Sequence, residues 1–164
     1  MKNHPLINPE TNKEEWISRA MAVLAVVTSF DKNGKTCILA QQRGKGTPDP
    51  EFVGAWCLPC GYLDYDETLH QAIYREVFEE TGLIISPDQF QMFYVNDDPK
   101  EDKRQNVTFR FKVQLPVSCE SLKLSKRNSD KDEVENVGWI PLTDIDKLKW
   151  AFNHDKIIKD LFQL

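Results

Sequence analysis

The most informative part of the chain is the segment GYLDYDETLHQAIYREVFEETGL, which runs from Gly61 to Leu83. Its second half has apolar residues at helical spacing, namely Leu69, Ala72, Ile73 and Val77. Thr68 and Gln71 match a capping box at the start of this stretch, and Gly82 is a typical stop signal after it. The segment therefore predicts a loop followed by an amphipathic helix over residues 68–81.

Strand-like segments lie on both sides of this helix. Before it, residues 20–30 (AMAVLAVVTSF) and 35–43 (KTCILAQQR) are apolar and are joined by a turn-like sequence. After it, residues 88–96, 106–115 and 137–142 have strand character, and residues 143–164 predict a helical C-terminus. Residues 56–67 (WCLPCGYLDYDE) contain too many turn residues for regular structure. We expect an α/β fold with a mixed β-sheet between helices, forming a single domain over residues 1–164 with an N-terminal arm at 1–19.

The overall composition favours a small ligand over a macromolecule. The chain has 164 residues and a formal net charge of −5, a balance that does not suggest a basic footprint for a nucleic-acid backbone. The longest apolar stretch, residues 20–27, is too short to span a membrane, and residues 1–10 lack the apolar core of a signal peptide. The four cysteines do not form a secreted disulfide pattern, so we expect free thiols and a cytoplasmic location. The oligomeric state is left open, with a homodimer as one option.

Three glutamates crowd one face of the predicted helix. Glu76, Glu79 and Glu80 are related by i, i+3 and i+4 spacing, so their carboxylates repel one another. A solvated acidic face is the simplest alternative, but such a face would carry lysines at i+4, and this helix has only Arg75. We predict that a divalent cation supplies the missing positive charge. Mg²⁺ or Mn²⁺ suits an oxygen-rich cluster because it keeps several waters and completes its shell with substrate phosphates.

The spacing of residues 61–83 resembles the Nudix box. Glu67 follows Gly61 after five residues, and the run REVFEETGL begins after seven more, at Arg75. The flanking strands and the C-terminal helix are also similar to that family. The resemblance implies a Nudix fold and metal-dependent hydrolysis of a nucleotide. It further implies these roles: Glu79 and Glu80 as metal ligands, Glu76 as a ligand or base, Arg75 as an orienting partner, and Glu67 as a residue that positions the loop or assists at the metal.

The same resemblance points to metal ligands outside the helix. The residue before Gly61 offers its backbone carbonyl to the metal in this family and is usually glycine, whereas this chain has Cys60. A backbone angle that requires glycine would be strained by a cysteine. An additional carboxylate from a later loop is also expected. The candidates are Asp132, Glu133 and Glu135, of which we choose Glu133, with an exposed acidic loop as the alternative.

Substrate-binding candidates lie on or beside predicted loops and strands. Basic residues that would bind phosphate oxygens, or would simply be solvated, are Arg43, Lys45 and Arg104. Aromatic residues that would stack on a base, or would belong to the core, are Phe52, Trp56 and Tyr94.

Cys57 and Cys60 form a Cys-x-x-Cys pair, which is found in zinc and thiol-redox sites. No second pair exists in the sequence, and the three histidines, at positions 4, 70 and 154, are scattered. Two small, partly buried thiols are the favoured interpretation.

One proline bears on the choice of substrate. Pro99 lies 16 residues after Leu83 (99 − 83), and a proline near that offset resembles a marker of the ADP-ribose-cleaving branch of the family. A turn in the charged segment DDPKEDKR explains the same proline without a ligand. We expect hydrolysis of a nucleoside diphosphate linked to another moiety, with ADP-ribose as the leading candidate. The alternatives are a nucleoside triphosphate pyrophosphohydrolase and a non-catalytic ligand-binding domain.

Overall fold

The structure is a computed structural model that describes residues 5–16, 18–100, 105–126 and 132–164. Its two α-helices are α1 (Leu69–Thr81) and α2 (His154–Phe162). Its strands are β1 (Pro5–Ile7), β2 (Glu14–Trp16), β3 (Met21–Phe30), β4 (Thr36–Arg43), β5 (Trp56–Cys57), β6 (Cys60–Tyr62), β7 (Gln91–Asn96), β8 (Val107–Ser118) and β9 (Val134–Pro141). Short 3₁₀ helices cover Pro50–Phe52, Pro87–Gln89, Cys119–Ser121 and Leu142–Lys147.

The main sheet is mixed and has the order β5-β4-β3-β8-β7, with β6 also paired to β3 and β9 to β4. β3 runs parallel to β8, whereas its pairing with β4 is antiparallel and covers only Thr28–Phe30 of β3. Towards the start of β3 the two strands separate, and the short strands β6 and β5 pair with β3 and β4 there. This separation creates the place in the sheet where the candidate site forms.

The sheet lies between the two α-helices. Successive side chains of a strand point to opposite faces, and β3 is buried on both of them. Val23, Ala25 and Val27 belong to the cluster that contains α1, whereas Leu24 and Val26 belong to the cluster that contains α2. The predicted mixed sheet between helices is therefore confirmed.

The local signals that predict α1 are confirmed in detail. The Thr68 hydroxyl accepts a hydrogen bond from the Gln71 amide, and the Gln71 side chain accepts one from the Thr68 amide, at 2.8 Å. Gly82 ends the helix in the left-handed conformation, with φ of 73°. Caps of this kind are each worth about 1 kcal/mol, so the helix that carries the glutamates is defined by its own sequence.

Three sequence-based expectations are corrected by the structure. Residues 56–67, expected to be irregular, contain β5 and β6, because both short strands pair with neighbours that are distant in sequence. The C-terminal helix begins only at His154, since Trp150 forms a parallel bridge with Trp56 and the residues between 143 and 153 are not α-helical. The N-terminal arm, where it is described, contains the β1–β2 hairpin. The assignment of residues 1–164 to one domain stays a prediction.

In the part of the chain that the structure describes, neither α-helix is long and apolar enough to cross a membrane.

Candidate active site

Arg75 on α1 lies among four carboxylates. Its guanidinium nitrogens are 2.6 Å from a Glu76 oxygen, 2.9 Å from Glu67, 3.5 Å from Glu79 and 3.6 Å from Asp64. One positive charge is therefore shared among four negative charges. Glu79 lies one helical turn after Arg75, at i+4, so helix spacing accounts for that contact.

Glu67 connects the loop before α1 to the helix itself. Both of its carboxylate oxygens accept hydrogen bonds from Arg75, and one also accepts from the Asp64 amide at 3.2 Å. Arg75 additionally donates to the Tyr62 carbonyl at 3.0 Å. The hydrogen bonds from Arg75 lower the pKa of Glu67, and those to Glu67 raise the pKa of Arg75 further above its ordinary value. Both groups are consequently charged at neutral pH, and the loop is fixed to the helix by an ion pair.

Glu80 is buried on the side of α1 that faces the sheet. Its Oε1 accepts a hydrogen bond from the Gln41 side chain at 2.5 Å, and its Oε2 accepts one from the Cys60 amide at 3.1 Å. Burial raises the pKa of Glu80 well above its ordinary value, and the nearby Cys60 thiol and Glu76 carboxylate add to the effect. A carboxylate in this position is costly unless a positive charge is close to it.

Glu76 packs directly against Gly61. A Cβ atom at position 61 would overlap the Glu76 carboxylate, so only glycine leaves room for this approach. Burial raises the pKa of Glu76, while the neighbouring Arg75 charge opposes that rise. The Glu79 side chain is more accessible, with 41% of its surface exposed against 11% for Glu76. Glu79 is therefore the box glutamate most open to a ligand that arrives from solvent.

The donor chemistry of this cluster fits a hard divalent cation. Asp64, Glu67, Glu76, Glu79 and Glu80 provide oxygen atoms only, and Mg²⁺ and Mn²⁺ prefer such ligands. Among the described residues, no three His, Cys, Asp or Glu side chains are arranged around a common point as metal ligands. In the structure Arg75 holds two of the predicted ligands, Glu76 and Glu79, by ion pairs. The oxygen donors and the negative charge of these residues therefore fit a divalent cation.

Cys60 occupies a position that does not require glycine. It lies in β6, paired with Leu24, and it is absent from the described residues with positive φ. The strain expected from replacing the family's glycine is therefore not present. The pKa of the Cys60 thiol is raised well above its ordinary value, mainly by a hydrogen bond with Cys57 and, to a smaller extent, by burial. Both cysteines are free thiols.

Arg43, a predicted phosphate-binding residue, lies at the end of β4 and is largely buried. Its guanidinium forms an ion pair with Asp49 at 3.2 Å, donates to Thr47, and lies 4.9 Å from the centroid of the Phe152 ring. Its positive charge opposes, in small part, the rise in the pKa of the Glu80 carboxyl that burial causes. Phosphate binding by Arg43 stays a prediction, and Arg104 lies outside the described residues.

The loop that contains Glu133 lies beside the end of β4. The Gly44 amide donates to the Glu133 carbonyl at 2.7 Å, and the Gly46 amide donates to the Asp132 carbonyl at 3.0 Å. The Glu133 side chain is half-buried, whereas Asp132 and Glu135 are exposed. The backbone contacts bring the loop next to Arg43, and a catalytic role for Glu133 stays a prediction. Lys45, between the two glycines, is exposed.

Gln41 is a site residue that sequence reasoning missed. The sequence predicts a strand over residues 35–43 but indicates no function for Gln41 within it. Leu39, two residues earlier, packs on the α1 side, so Gln41 points to the same buried face. Because buried polar groups need partners, a glutamine at this position was a signal for a polar group on the helix opposite.

The aromatic candidates are distributed over different environments. Phe52 contacts Phe152 edge to face, with ring centroids 4.6 Å apart, and Trp56 packs against the α2 side of the core. Tyr94 is half-exposed, and the Arg110 guanidinium lies over its ring. Pro99 lies in an exposed turn, which agrees with the turn explanation for that proline.

The sequence profile of the NUDIX domain matches residues 18–161. This chain therefore belongs to the Nudix family of hydrolases, and the resemblance seen in residues 61–83 is confirmed. It is similar to the ADP-ribose pyrophosphatase of Methanocaldococcus jannaschii, with 31% identity over 145 residues that span 88% of this chain and 74% of that enzyme.

Solved structures extend the comparison to the fold. The Nudix domain of Shewanella oneidensis NrtR, crystallised with ADP ribose, superimposes with a TM-score of 0.74 and 22% identity, covering 95% of this chain and 92% of that one. NrtR has also been crystallised with a 27mer DNA, and this chain covers 58% of that protein. A bifunctional NMN adenylyltransferase/ADP ribose pyrophosphatase from Francisella tularensis, crystallised with AMP and a manganese ion, gives a TM-score of 0.66 at 27% identity, covering 88% of this chain and 41% of that protein.

Proposed function

We propose that this protein uses Mg²⁺ or Mn²⁺ to hydrolyse the diphosphate bond of a nucleoside diphosphate linked to a second moiety, with ADP-ribose as the substrate. Water would add to one phosphorus as the bridging P–O bond breaks, so that ADP-ribose yields AMP and ribose 5-phosphate. The observation that carries the proposal is the excess of carboxylates around Arg75, together with the buried Glu80 behind them. Such an excess favours binding of a divalent cation and its diphosphate.

The residues of the cluster have separable tasks in this proposal. Glu76, Glu79 and Glu80 would hold the cation, with the backbone carbonyl of Cys60 as a further ligand. A bound divalent cation supplies charge neutralisation on the diphosphate and a water of lowered pKa. Gln41 and the Cys60 amide fix the orientation of Glu80 through their hydrogen bonds.

Arg75 and Glu67 hold the loop that precedes the helix, and with it the position of Gly61 against Glu76. As the alternative to a ligand role, Glu76 would act as the base that takes a proton from the attacking water. Arg43, Arg104 and Glu133 remain candidates for contacts with the phosphates or the metal.

The substrate proposal draws on the relatives and on composition. The Methanocaldococcus jannaschii relative is an ADP-ribose pyrophosphatase. The net charge of −5 speaks for a small nucleotide substrate and against nucleic acid or a membrane as the partner. The four free thiols fit a cytoplasmic location.

The central test is Glu80→Gln assayed with ADP-ribose and saturating Mg²⁺. We expect turnover to fall by several orders of magnitude while the circular dichroism spectrum is unchanged, because the substitution keeps size and removes the charge. Glu10→Gln, which makes the same change on the exposed β1–β2 hairpin, is the matched control and should retain full activity. Unchanged turnover in Glu80→Gln would overturn the metal-site assignment.

The substrate class is tested separately by comparing kcat/KM for ADP-ribose with that for the common nucleoside triphosphates. This ratio reports differential binding of the transition states. A preference for any triphosphate by tenfold, about 1.4 kcal/mol, would replace the proposed substrate with the pyrophosphohydrolase alternative. Nucleotide binding without turnover under Mg²⁺ or Mn²⁺ would indicate the non-catalytic alternative.

A further inference from the structure

His154, the first residue of α2, is buried, with only 4% of its surface exposed. Its ring nitrogen Nδ1 accepts a hydrogen bond from the Leu58 amide at 3.0 Å. Leu58 and Pro59 form the loop between β5 and β6, so this bond joins the C-terminal helix to the loop across 96 positions of sequence. Cys60, the proposed carbonyl ligand, follows directly after this loop. An imidazole from α2 therefore holds the backbone that leads into a proposed metal ligand.

The loop has one backbone donor, the Leu58 amide, because Pro59 has no N–H group. The Pro59 carbonyl is fixed from another direction, since it accepts from the Ala25 amide of β3 at 2.9 Å. Leu58 is fully buried, so its amide has no water to turn to if the imidazole acceptor is lost. A buried amide without a partner is costly, and the loop would have to shift to satisfy it. The position of the loop thus depends on His154.

The pairing of β6 determines where the Cys60 backbone points. The Ala25 amide bonds to the Pro59 carbonyl, and in an antiparallel ladder hydrogen-bonded pairs alternate with pairs that are not bonded. The next pair, Leu24 with Cys60, is therefore of the second kind, and both the N–H and the C=O of Cys60 point away from β3. In agreement, the Cys60 amide reaches Glu80 at 3.1 Å. A rotation of the loop before β6 would change the direction of the Cys60 amide and of its carbonyl together.

Two strained residues precede His154 and direct it into the interior. Phe152 and Asn153 both have φ of 57°, in the left-handed region that a bulky residue such as phenylalanine rarely adopts. Such conformations persist only where the surrounding structure fixes them, and they cluster at functional sites. Before this turn, the Ala151 amide donates to the Trp56 carbonyl at 2.8 Å, and after it the His154 ring accepts from the loop. The strained turn is thus fixed at both ends by contacts with β5 and the loop that follows β5.

We propose that His154 is a positioning residue for the metal site. By accepting from the Leu58 amide, it fixes the loop that sets the direction of the Cys60 carbonyl and of the amide that holds Glu80. The inference rests on the proposed function for the role of these groups at the metal. It gives α2 a part in metal binding, although the ion pairs of the Arg75 cluster use only residues of α1 and of the loop before it.

The test compares His154→Asn with His154→Leu. The two new side chains have nearly the same shape, but only asparagine carries an acceptor near the position of Nδ1. Both variants lose the rest of the imidazole, including its edge-to-face contact with Phe152, so their difference isolates the hydrogen bond. His154→Val, which lacks the acceptor and is smaller than leucine, provides a second apolar variant. Ile158→Val, at a fully buried position of the same helix, is the control for a loss of stability that leaves the Leu58 hydrogen bond in place.

Binding of Mn²⁺ without nucleotide is measured for each variant by electron paramagnetic resonance, and thermal melts report its stability. The Mg²⁺ concentration for half-maximal hydrolysis of ADP-ribose is measured in parallel. We expect His154→Leu and His154→Val to weaken Mn²⁺ binding by about tenfold or more, and His154→Asn to stay within about threefold of the wild type. The Mg²⁺ requirement should rise in the two apolar variants as well. Ile158→Val should melt at a lower temperature than the wild type and bind Mn²⁺ equally well.

Wild-type Mn²⁺ affinity in the two apolar variants would overturn the positioning role. Equal losses in His154→Leu and His154→Asn would overturn it too, because they would assign the effect to packing of the ring. A comparable loss in Ile158→Val would assign it to stability. In each of these cases, hydrolysis of ADP-ribose by the wild type would leave the proposed function standing. Conversely, Mn²⁺ binding that depends on the His154 acceptor, in a protein that cleaves no diphosphate, would overturn the proposed function and retain the role of His154.

Discussion

The guanidinium of Arg75 binds both oxygens of the Glu67 carboxylate, with Nε–Oε1 and Nη2–Oε2 distances of 2.9 Å each. This paired geometry joins α1 to the loop that precedes it. The same guanidinium contacts Glu76 and Glu79, so the arrangement of two proposed metal ligands depends on one arginine. Loop, helix and ligands are therefore coupled through a single planar group.

Arg75→Lys should disrupt this coupling although it preserves the charge. An ammonium cannot bind two carboxylate oxygens and the Tyr62 carbonyl in one plane. We expect the free energy of unfolding to fall by about 2 kcal/mol, from the loss of charge-assisted hydrogen bonds, and kcat to fall as well. Urea denaturation and steady-state kinetics measure the two effects.

Lys147→Ala is the control for Arg75→Lys, because it removes an ion pair with Asp144 of comparable length in which the lysine is exposed and the aspartate is half-exposed. Its effect on stability should be within about 1 kcal/mol of zero. Equal stability losses in the two variants would contradict the special role of Arg75.

Gly61→Ala should displace Glu76. The added Cβ would overlap the Glu76 carboxylate, which Arg75 holds in place, so either the carboxylate or β6 must move. We expect a large loss of kcat with a folded protein. Gly138→Ala is the matched control, because its Cβ would meet Trp56 at an ordinary 3.5 Å. Full activity in Gly61→Ala would show that the position of Glu76 is not critical.

Cys60→Gly should retain activity, in contrast to Gly61→Ala. The Cys60 amide reaches Glu80, and its carbonyl is the proposed ligand, so the thiol is not required. The side chain packs against the core on the α2 side, and a loss of stability of about 1 kcal/mol is expected from the smaller, more flexible glycine. Activity assays and thermal melts separate the two effects. Loss of activity together with release of zinc would instead support the Cys-x-x-Cys metal hypothesis.

The sequence predicted those parts of the site that depend on local signals. The caps of α1 and the spacing of its glutamates are encoded within a short segment, so the helix and its acidic face could be predicted from it. The strands β5 and β6 could not be predicted from a short segment, because β5 forms by pairing with β4 and β6 by pairing with β3.

Two further features depended on pairing that a single sequence does not reveal. The contact between Gln41 and Glu80 joins residues 39 positions apart, and the register of β7 against β8 shifts between Met92 and Tyr94. The late start of α2 has the same origin, since Trp150 pairs with Trp56. Tertiary contacts overrode the local helical pattern of residues 143–153.

The buried position of Glu80 predicts an unusual pH dependence of stability in the metal-free protein. Burial raises the pKa of this carboxyl in the folded state, so the folded protein binds more protons than the unfolded protein between the two pKa values. Stability contributed by protonated Glu80 is present at low pH and is lost as the pH rises through that window. Replacing the Glu80 carboxyl with a group that does not ionise should therefore prevent this loss of stability at high pH.

Glu80→Gln in EDTA should therefore unfold at a higher temperature than the wild type at pH 8, with the difference shrinking towards pH 4. Gln41 can accommodate the new amide, because rotating its own amide group presents Oε1, which has no hydrogen-bond partner in the described structure. Glu10→Gln, on the exposed hairpin, should follow the wild type at both pH values. Thermal melts across this range provide the measurement. A Glu80→Gln variant that is less stable than the wild type at pH 8, or equally shifted at pH 4 and pH 8, would show that the hydrogen bonds of Glu80 outweigh the cost of burying its charge.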